Sequence, residues 1–223
     1  MAISRFIFHN IAKALSKKKI YLVKSLSFKG RPLTLPLNYD YVRYATLELC
    51  YEEIISAGIT GNVAELGVYR GSFASRLNQL FSQKKLYLFD TFKGFNDEDV
   101  AIERKKKYSS GDQDFSNTSI ELVKSKMPHP ENCIFKPGHF PQTAEDVDDN
   151  FCFVSIDADL FEPIYQGLKF FYPKLNKGGY IFIHDFNNAA YTGSRNAVSL
   201  FCKENDIRFV PIPDSGGTVI ITK

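Results

Sequence analysis

From residue 62 to the end of the sequence, segments that favour β-strands alternate with segments that favour α-helices. Strands are predicted at 62–66, 85–90, 132–136, 151–157, 179–184, 207–212 and 217–222, and helices at 72–82, 141–148, 163–172 and 192–205. Strands that alternate with helices usually form a parallel sheet with helices on both faces. Only a short Gly-rich turn separates the last two strands, which predicts a hairpin. We therefore predict an α/β fold with a doubly wound, mostly parallel seven-stranded sheet and a terminal antiparallel hairpin strand.

The length of 223 residues fits one such domain with an N-terminal helical appendage. We predict the domain at 59–223, preceded by an extension and linker at 1–58. Within the extension, residues 28–38 form the linker and a helix runs from residue 41 to 57, ended by Gly58. Residues 94–131 interrupt the alternation with a long polar stretch. Insertions of this length are commonly lids or binding loops.

The first helix of the extension is predicted to be amphipathic and basic. Its apolar face consists of Ile3, Phe6, Ile7, Ile11, Ala14 and Leu15, and three lysines follow at 17–19. Such a helix can make peripheral contact with an anionic membrane, here through residues 3–19. More often such a helix docks on its own domain or on a second subunit in a homo-oligomer.

Composition excludes several classes of protein. A net charge of +3 is too small to indicate a nucleic acid partner. No apolar run approaches the length of a membrane span, and Arg5, His9, Asn10 and Lys13 interrupt the N-terminal apolar stretch, which argues against a signal peptide. The four cysteines are scattered, without a C-x-x-C pair, which indicates a reducing compartment. We therefore expect a cytoplasmic location.

A glycine turn lies between the first predicted strand and helix of the alternating region. Glu65, Gly67 and Gly71 give the pattern E-x-G-x-x-x-G, which differs from the G-x-G-x-x-G of dinucleotide sites and disfavours a nicotinamide-dependent oxidoreductase. A carboxylate here suits a ligand with a cationic amino acid part. Asp90 ends the next strand, where a carboxylate commonly accepts hydrogen bonds from ribose hydroxyls. The two features describe S-adenosylmethionine, although Glu65 and Asp90 can also be caps of the segments that follow.

A second group of ionisable residues follows two later strands. Asp157 and Asp159 end strand 151–157, and His184 and Asp185 end strand 179–184. The carboxyl ends of these strands lie at the same sheet edge as the glycine turn, so the acids would repel one another without a cation. Asp157, His184 and Asp185 are a reasonable set of ligands for a divalent metal. Alternatively, Asp157 or Asp159 caps helix 163–172 and His184 is a loop histidine with satisfied hydrogen bonds.

Five segments resemble the macrocin O-methyltransferase family, in order and with matching gaps. They are 64–71 (AELGVYRG), 89–95 (FDTFKGF), 136–143 (KPGHFPQT), 156–162 (IDADLFE) and 172–180 (YPKLNKGGY). The resemblance extends from about residue 40 to 205 and implies the Rossmann-like class I methyltransferase fold. That family methylates sugar hydroxyls in antibiotic biosynthesis, using S-adenosylmethionine and Mg²⁺.

The resemblance also assigns roles to individual residues. It implies that the cofactor is bound by Glu65, Gly67, Gly71, Ser72 and Asp90, with Gly138 and Phe140 of a G-x-F element bordering the adenine. It places Asp157, His184 and Asp185 at the metal positions and Asp159 at the general base. One departure is His184, because family members usually have aspartate there. The metal is therefore either Mg²⁺ or Mn²⁺.

The sequence does not identify the acceptor, which can be a small molecule or a glycan. Its sugar can belong to a secondary metabolite, a glycolipid or a polysaccharide. Two alternatives on the same scaffold also remain. They are a catechol-type O-methyltransferase and a non-catalytic protein that binds a nucleoside or carbohydrate.

Overall fold

The computed structural model describes residues 2–18 and 40–223. The chain divides into two compact units, Met1–Thr34 and Leu35–Lys223. The first contains helix α1 (Ala2–Ser16), which agrees with the helix expected from the sequence. The predicted linker at 28–38 falls outside the described residues. In the described part of the chain, no helix is long and apolar enough to cross a membrane.

The second unit is built on a seven-stranded sheet. Its strands are β1 (Asn62–Leu66), β2 (Leu86–Asp90), β3 (Cys133–Pro137), β4 (Phe151–Ile156), β5 (Leu175–Ile183), β6 (Val210–Pro211) and β7 (Val219–Thr222). They are arranged in the order β3-β2-β1-β4-β5-β7-β6. Strands β1 to β5 pair in parallel, and β7 is antiparallel to both β5 and β6. The predicted sheet, with its terminal hairpin, is confirmed.

Helices cover both faces of this sheet. They are α2 (Tyr41–Ser56), α3 (Ser72–Leu80), α4 (Asp97–Lys106), α5 (Ile120–Lys124), α6 (Phe161–Lys174) and α7 (Thr192–Glu204). Tyr44 of α2 packs edge to face on Phe73 of α3, on the sheet face that carries Glu65. Tyr172 of α6 packs on Phe201 of α7. Successive strand residues point to opposite faces of the sheet. Leu66, the residue after Glu65, therefore faces α6 in the main apolar core.

Helix α2 belongs to the sheet unit. The buried side chains Leu47, Cys50 and Ile54 form one apolar stripe along it, and the compact unit begins at Leu35. The boundary expected at residue 58 would instead place this helix in the N-terminal extension. The difference matters for the site, because α2 contributes a buried arginine to it.

One predicted helix differs from the structure. The helix expected at 141–148 is wrong, since only a short 3₁₀ turn at Gln142–Ala144 forms there. In this stretch only Ala144 and Val147 are buried, too few for a helix face, and Asp146 pairs with Lys136 of β3 at 2.7 Å. The insertion 94–131, predicted to be lid-like, contains α4 and α5.

Candidate functional site

A cavity of about 360 Å³ opens at the carboxyl edge of the parallel strands. Backbone hydrogen bonds continue the sheet ladder past the strand ends, from Gly67 N to Phe89 O at 2.9 Å and from His184 N to Ile156 O at 2.9 Å. The loops that follow the strands therefore lie side by side. The predicted site residues that line the cavity are Glu65, Gly67, Ser72, Asp90, Gly138, Phe140, Asp157, Asp159, His184 and Asp185.

The two glycines of the turn have different surroundings. Gly67 lines the cavity with φ +85°, and a Cβ there would collide with the carbonyl oxygen of Asp157. Gly71 does not belong to the cavity lining. It is the N-cap of α3 with φ +75°, and a Cβ there would lie 2.9 Å from Cγ1 of Val123. Gly71 therefore allows the turn to pass close to α5.

The Asp90 carboxylate holds the glycine turn in place. Its Oδ2 accepts hydrogen bonds from the backbone N–H groups of Val68 at 2.7 Å and Tyr69 at 2.8 Å, and its Oδ1 accepts one from Phe92 at 2.7 Å. A carboxylate has about four lone-pair sites, so it can still accept from a ligand hydroxyl. Asp90 lines the cavity and is not an N-cap of a helix, since α4 begins seven residues later with Asn96 as its cap.

Glu65 presents a buried oxygen without a partner. The residue is 1% exposed, and its Oε2 makes no hydrogen bond in the described structure. Burial and the charge of Asp157 raise the pKa of Glu65 well above its usual value. Leaving a buried acceptor unsatisfied is costly, so this oxygen suits a cationic or hydrogen-bond-donating ligand in the cavity.

A buried arginine, which the sequence reasoning missed, lies beneath Asp157. Nη1 of Arg43 is 3.0 Å from Asp157 Oδ2, and Nη2 donates to Ser155 Oγ at 3.4 Å. Burial alone would raise the pKa of Asp157, but the charges of Arg43 and His184 outweigh it and lower that pKa. Arg43 stands in the i, i+4, i+7 stripe that continues through Leu47 and Cys50. A charged residue in an otherwise apolar stripe was the available signal.

His184 is paired with both neighbouring carboxylates. Its Nδ1 lies 3.1 Å from Asp157 Oδ1 and 3.0 Å from Asp185 Oδ2. Burial disfavours the imidazolium, yet the charge of Asp157 and the hydrogen bonds to Asp157 and Asp185 raise the pKa of His184 to about 10. Ligand atoms of the three residues all lie within 4.8 Å of one another. Two carboxylate oxygens and an imidazole nitrogen at this spacing fit a divalent ion that replaces the proton on His184.

Asp159 faces the same cluster. It adopts a left-handed backbone conformation with φ +56° and lines the cavity. Burial, the charges of Asp157 and Asp185 and a hydrogen bond to Asp185 raise the pKa of Asp159 well above its usual value. The carboxyl group therefore has a high affinity for a proton in a site that a ligand can reach.

The insertion provides the wall opposite the strand ends. Phe95, Asn96, Asp99 and Phe115 line the cavity from this segment. Asp99 meets His139, the middle residue of the G-x-F element, with 2.9 Å between Oδ2 and Nε2. This contact was not predicted, because the two residues are 40 positions apart and belong to different elements.

The sheet order, the antiparallel β7 and the cavity at the carboxyl edge together define a class I methyltransferase fold. The profile of the family described as Macrocin-O-methyltransferase (TylF) matches residues 40–214. The chain belongs to the macrocin O-methyltransferase family, as the sequence resemblance indicated.

Two characterised relatives come from Streptomyces. Demethyldecarbamoylnovobiocin O-methyltransferase of Streptomyces niveus is 24% identical over 65% of this chain and 60% of its own length. A tetracenomycin 4'-O-methyltransferase of Streptomyces olivaceus, which acts on the 8-demethyl-8-(2,3-dimethoxy-α-L-rhamnosyl) compound, is 22% identical over 70% of this chain and 63% of its own length. The chain thus spans somewhat less than two thirds of these relatives.

Solved structures give the same fold. The O-methyltransferase NovP superposes with a TM-score of 0.65 at 21% identity, over 81% of this chain and 79% of that chain. The calicheamicin methyltransferase CalS11 superposes with a TM-score of 0.62 at 17% identity, over 81% of this chain and 78% of that chain.

Proposed function

We propose that the protein is an S-adenosylmethionine-dependent O-methyltransferase that acts on a sugar hydroxyl with the assistance of a divalent metal. The observation that carries the proposal is the division of the cavity into two polar parts. On one side Glu65 has an unpaired buried oxygen close to the Asp90 carboxylate. On the other side three metal-type ligands lie next to Asp159.

The first part suits the cofactor. The unpaired oxygen of Glu65 would accept a hydrogen bond from the ammonium group, and Asp90 would accept from the ribose hydroxyls with its remaining lone pairs. When bound, S-adenosylmethionine supplies a methyl group that its sulfonium already activates. The chain has to hold an acceptor oxygen in line with that methyl group and remove its proton.

The second part suits an alcohol acceptor. Asp157, His184 and Asp185 would hold the divalent ion, whose positive charge favours an ionised acceptor oxygen. Asp159 would take the hydroxyl proton, because its carboxyl group lies beside the ligand set and lines the cavity that the acceptor enters. Arg43 keeps Asp157 in one orientation, with Oδ1 facing His184.

Relatives support a sugar hydroxyl as the acceptor. The printed name of the Streptomyces olivaceus enzyme specifies a rhamnosyl compound, and the enzyme CalS11 is described as a TDP-rhamnose 3'-O-methyltransferase. We therefore expect the acceptor to be a sugar of a small molecule or glycan.

The test begins with binding, which does not require the acceptor. Calorimetry should detect S-adenosylmethionine binding to chelator-treated protein, and Mn²⁺ binding in a separate titration. Methyl transfer to a panel of nucleotide-linked and lipid-linked sugars should stop after chelation and return with added metal. Full activity after chelation would remove the metal from the mechanism, and absence of cofactor binding would overturn the whole proposal.

Two variants separate proton removal from coordination. Asp159→Asn keeps the side-chain shape and loses basicity, so the rate should fall on the order of 100-fold or more with cofactor and metal affinity retained. His184→Asp should shift the metal preference from Mn²⁺ towards Mg²⁺, because Mg²⁺ prefers oxygen ligands. An Asp159→Asn variant with near wild-type turnover would show that this residue is not the base.

The alternatives predict different results in the same assays. A catechol-type enzyme would methylate catechols and leave the sugar panel unchanged. A non-catalytic protein would bind nucleoside or carbohydrate without any turnover.

We also propose that α1 contacts an anionic membrane surface on the cytoplasmic side. Ile7 and Ile11 lie one above the other on the helix and are about half exposed, at 52% and 48%. The first 39 residues contain eight lysines and arginines and no acidic residue, whereas the remainder contains 20 basic and 25 acidic residues. An apolar helix face combined with this charge suits anionic lipid.

Vesicle sedimentation tests this contact. The protein should sediment with phosphatidylglycerol vesicles and much less with phosphatidylcholine vesicles, and Ile7→Ser together with Ile11→Ser should abolish the difference. If the same double variant instead converts a homo-oligomer into a monomer in size-exclusion chromatography, without any lipid binding by the wild type, α1 serves a second subunit.

A further inference from the structure

The order of the strand ends indicates where each part of the proposed cofactor can lie, and the inference that follows rests on that proposed function. Along the carboxyl edge the order is β3, β2, β1, β4, β5. The methyl group must reach Asp159, which follows β4. The ribose is assigned to Asp90 at the end of β2. The base is attached to the opposite side of the ribose from the amino acid part, so it is left with the end of β3.

The residues at the end of β3 include a histidine held by a buried acid. Gly138, His139 and Phe140 line this end of the cavity. Nε2 of His139 lies 2.9 Å from Oδ2 of Asp99, which comes from the first turn of α4 and is 5% exposed. The other ring nitrogen, Nδ1, has no hydrogen-bond partner in the described part of the chain.

The carboxylate determines what the free nitrogen can do. An ionised Asp99 can only accept a hydrogen bond, so on a neutral imidazole it keeps the single ring proton on Nε2 and leaves Nδ1 as an acceptor. The exocyclic 6-amino group of adenine is a donor, whereas the 6-oxo group of hypoxanthine is an acceptor. We propose that the Asp99–His139 pair reads the base of the cofactor and selects a 6-amino purine through His139 Nδ1.

This assignment gives the insertion a role towards the cofactor. Asp99 belongs to the inserted segment 94–131, and His139 belongs to the core of the domain. The hydrogen bond between Asp99 and His139 ties α4 to the end of β3 at the edge of the cavity. The insertion therefore contributes to base recognition, in addition to the aromatic side chains Phe95 and Phe115 that it places along the cavity wall.

The test compares two ligands whose bases differ in the group at position 6 and in the proton that the 6-oxo base carries on N1. Calorimetry on the full chain measures the affinity for S-adenosylhomocysteine and for S-inosylhomocysteine, in which a 6-oxo group replaces the 6-amino group. The wild type should prefer the adenosine compound by roughly 10- to 100-fold, because the 6-oxo group leaves two acceptors facing each other. His139→Phe keeps a ring and removes the acceptor, so the preference should fall to within about 3-fold.

Asp99→Asn distinguishes control of the His139 tautomer from a purely structural contact, because only the former changes the preference between the two ligands. The neutral amide no longer fixes the proton on Nε2, so both ring tautomers become accessible and the preference should shrink while the side-chain size is kept. His129→Phe is the matched control. His129 also pairs with an acid, Glu131, at 3.5 Å, but it lies outside the cavity lining and its loss should leave the preference unchanged.

A substitution that weakens binding of both ligands by the same factor leaves the ratio of the two affinities unchanged. A wild type without preference, or a His139→Phe variant with the full preference, would overturn the inference and leave the proposed function intact. Failure of the wild type to bind S-adenosylhomocysteine would overturn both.

Discussion

At the scale of single residues, the site depends on a balance of buried charge. Four of the six carboxylates that line the cavity, Glu65, Asp157, Asp159 and Asp185, form one charged cluster with the His184 imidazole, and Arg43 adds a permanent positive charge below them. The arginine also lies 4.1 Å from the centre of the Phe73 ring, so its long side chain is packed as well as paired. Each charge here is stabilised mainly by its neighbours, and removing one changes the state of the rest.

Arg43 is therefore expected to be important for stability. Arg43→Met keeps the apolar stem and removes the charge, which leaves Asp157 without its nearest cation. Breaking a buried pair in this way should lower the free energy of unfolding by about 3–5 kcal/mol, measured by denaturant titration. Arg208→Met is the control, because Arg208 is exposed and its loss should change stability by less than about 0.5 kcal/mol. Equal stability of the two variants would contradict the role of the ion pair.

The protonation of His184 makes the stability of this cluster depend on pH. Its pKa rises from 6.5 to about 10 in the folded chain, so the charged ring stabilises the metal-free protein. This contribution is fully present below pH 6.5 and is lost as the pH rises through about 10. The free energy of unfolding, measured by denaturant titration, should therefore differ more between the wild type and His184→Gln at pH 6 than at pH 10. A gap that is constant or grows with pH would show that the imidazolium is not stabilised in this way.

At the scale of elements, α6 depends on a carboxylate from a different helix. Its N-cap residue, Leu160, has no side-chain hydrogen bond to offer. Instead Oε1 of Glu103 in α4 accepts from Phe161 N at 2.6 Å, and Oε2 accepts from Ser109 Oγ at 2.8 Å. A carboxylate at a helix N-terminus also interacts favourably with the helix dipole. The insertion thus stabilises the helix that directly follows the Asp157–Asp159 loop.

Loss of this contact should be measurable. Glu103→Ala leaves two buried or partly buried donors unpaired and should reduce stability by about 1–3 kcal/mol in thermal or chemical unfolding. Glu103→Gln should lose less, since its amide oxygen can still accept from Phe161. Glu98→Ala, an exposed change on the same helix, is the reference. If the Glu103→Ala and Glu98→Ala variants have equal free energies of unfolding, α6 does not depend on the Glu103 carboxylate at its N-terminus.

The elements that the sequence predicted well are those with a strong local pattern. Strands β1 to β5 are rich in apolar residues, and most of the residues expected in the site lie at or just after the carboxyl end of one of these strands, so the parallel topology brings them to one edge. The helix expected at 141–148 failed because its acids pair with side chains outside the segment, such as Lys136. Arg43 and the contact between Asp99 and His139 join residues that are distant in sequence. No local pattern records such partners, and only the folded chain reveals them.

At the scale of the whole molecule, the net charge of the sequence changes sign close to the boundary between the two compact units. The unit that ends at Thr34 is uniformly basic, and the unit from Leu35 onward carries a slight excess of acid. All four cysteines are free, and Cys50, Cys152 and Cys202 are buried in the second unit. Free thiols agree with the expected reducing compartment, which itself stays a prediction.

These thiols should be unreactive in the native state. Burial, helped by the charge of Glu53, raises the pKa of Cys50 to about 12, and burial with the charge of Glu131 raises the pKa of Cys133 to about 11. Because the thiolate is the reactive species, Ellman's reagent at pH 8 should modify the folded protein slowly and the guanidinium-unfolded protein rapidly. Fast reaction of any thiol in the native protein, including Cys133, the least buried of the four, would contradict this expectation.

The three backbone hydrogen bonds to Asp90 affect how variants of this residue can be interpreted. The same carboxylate shapes the glycine turn before any ligand is present, so replacing it deforms the loop as well as removing a contact to ribose. An affinity lost in Asp90→Ala therefore cannot be assigned to the ribose hydroxyls alone. Cofactor analogues that lack one ribose hydroxyl, bound to the unaltered chain, would isolate that contribution, because the loop keeps its anchor in every measurement.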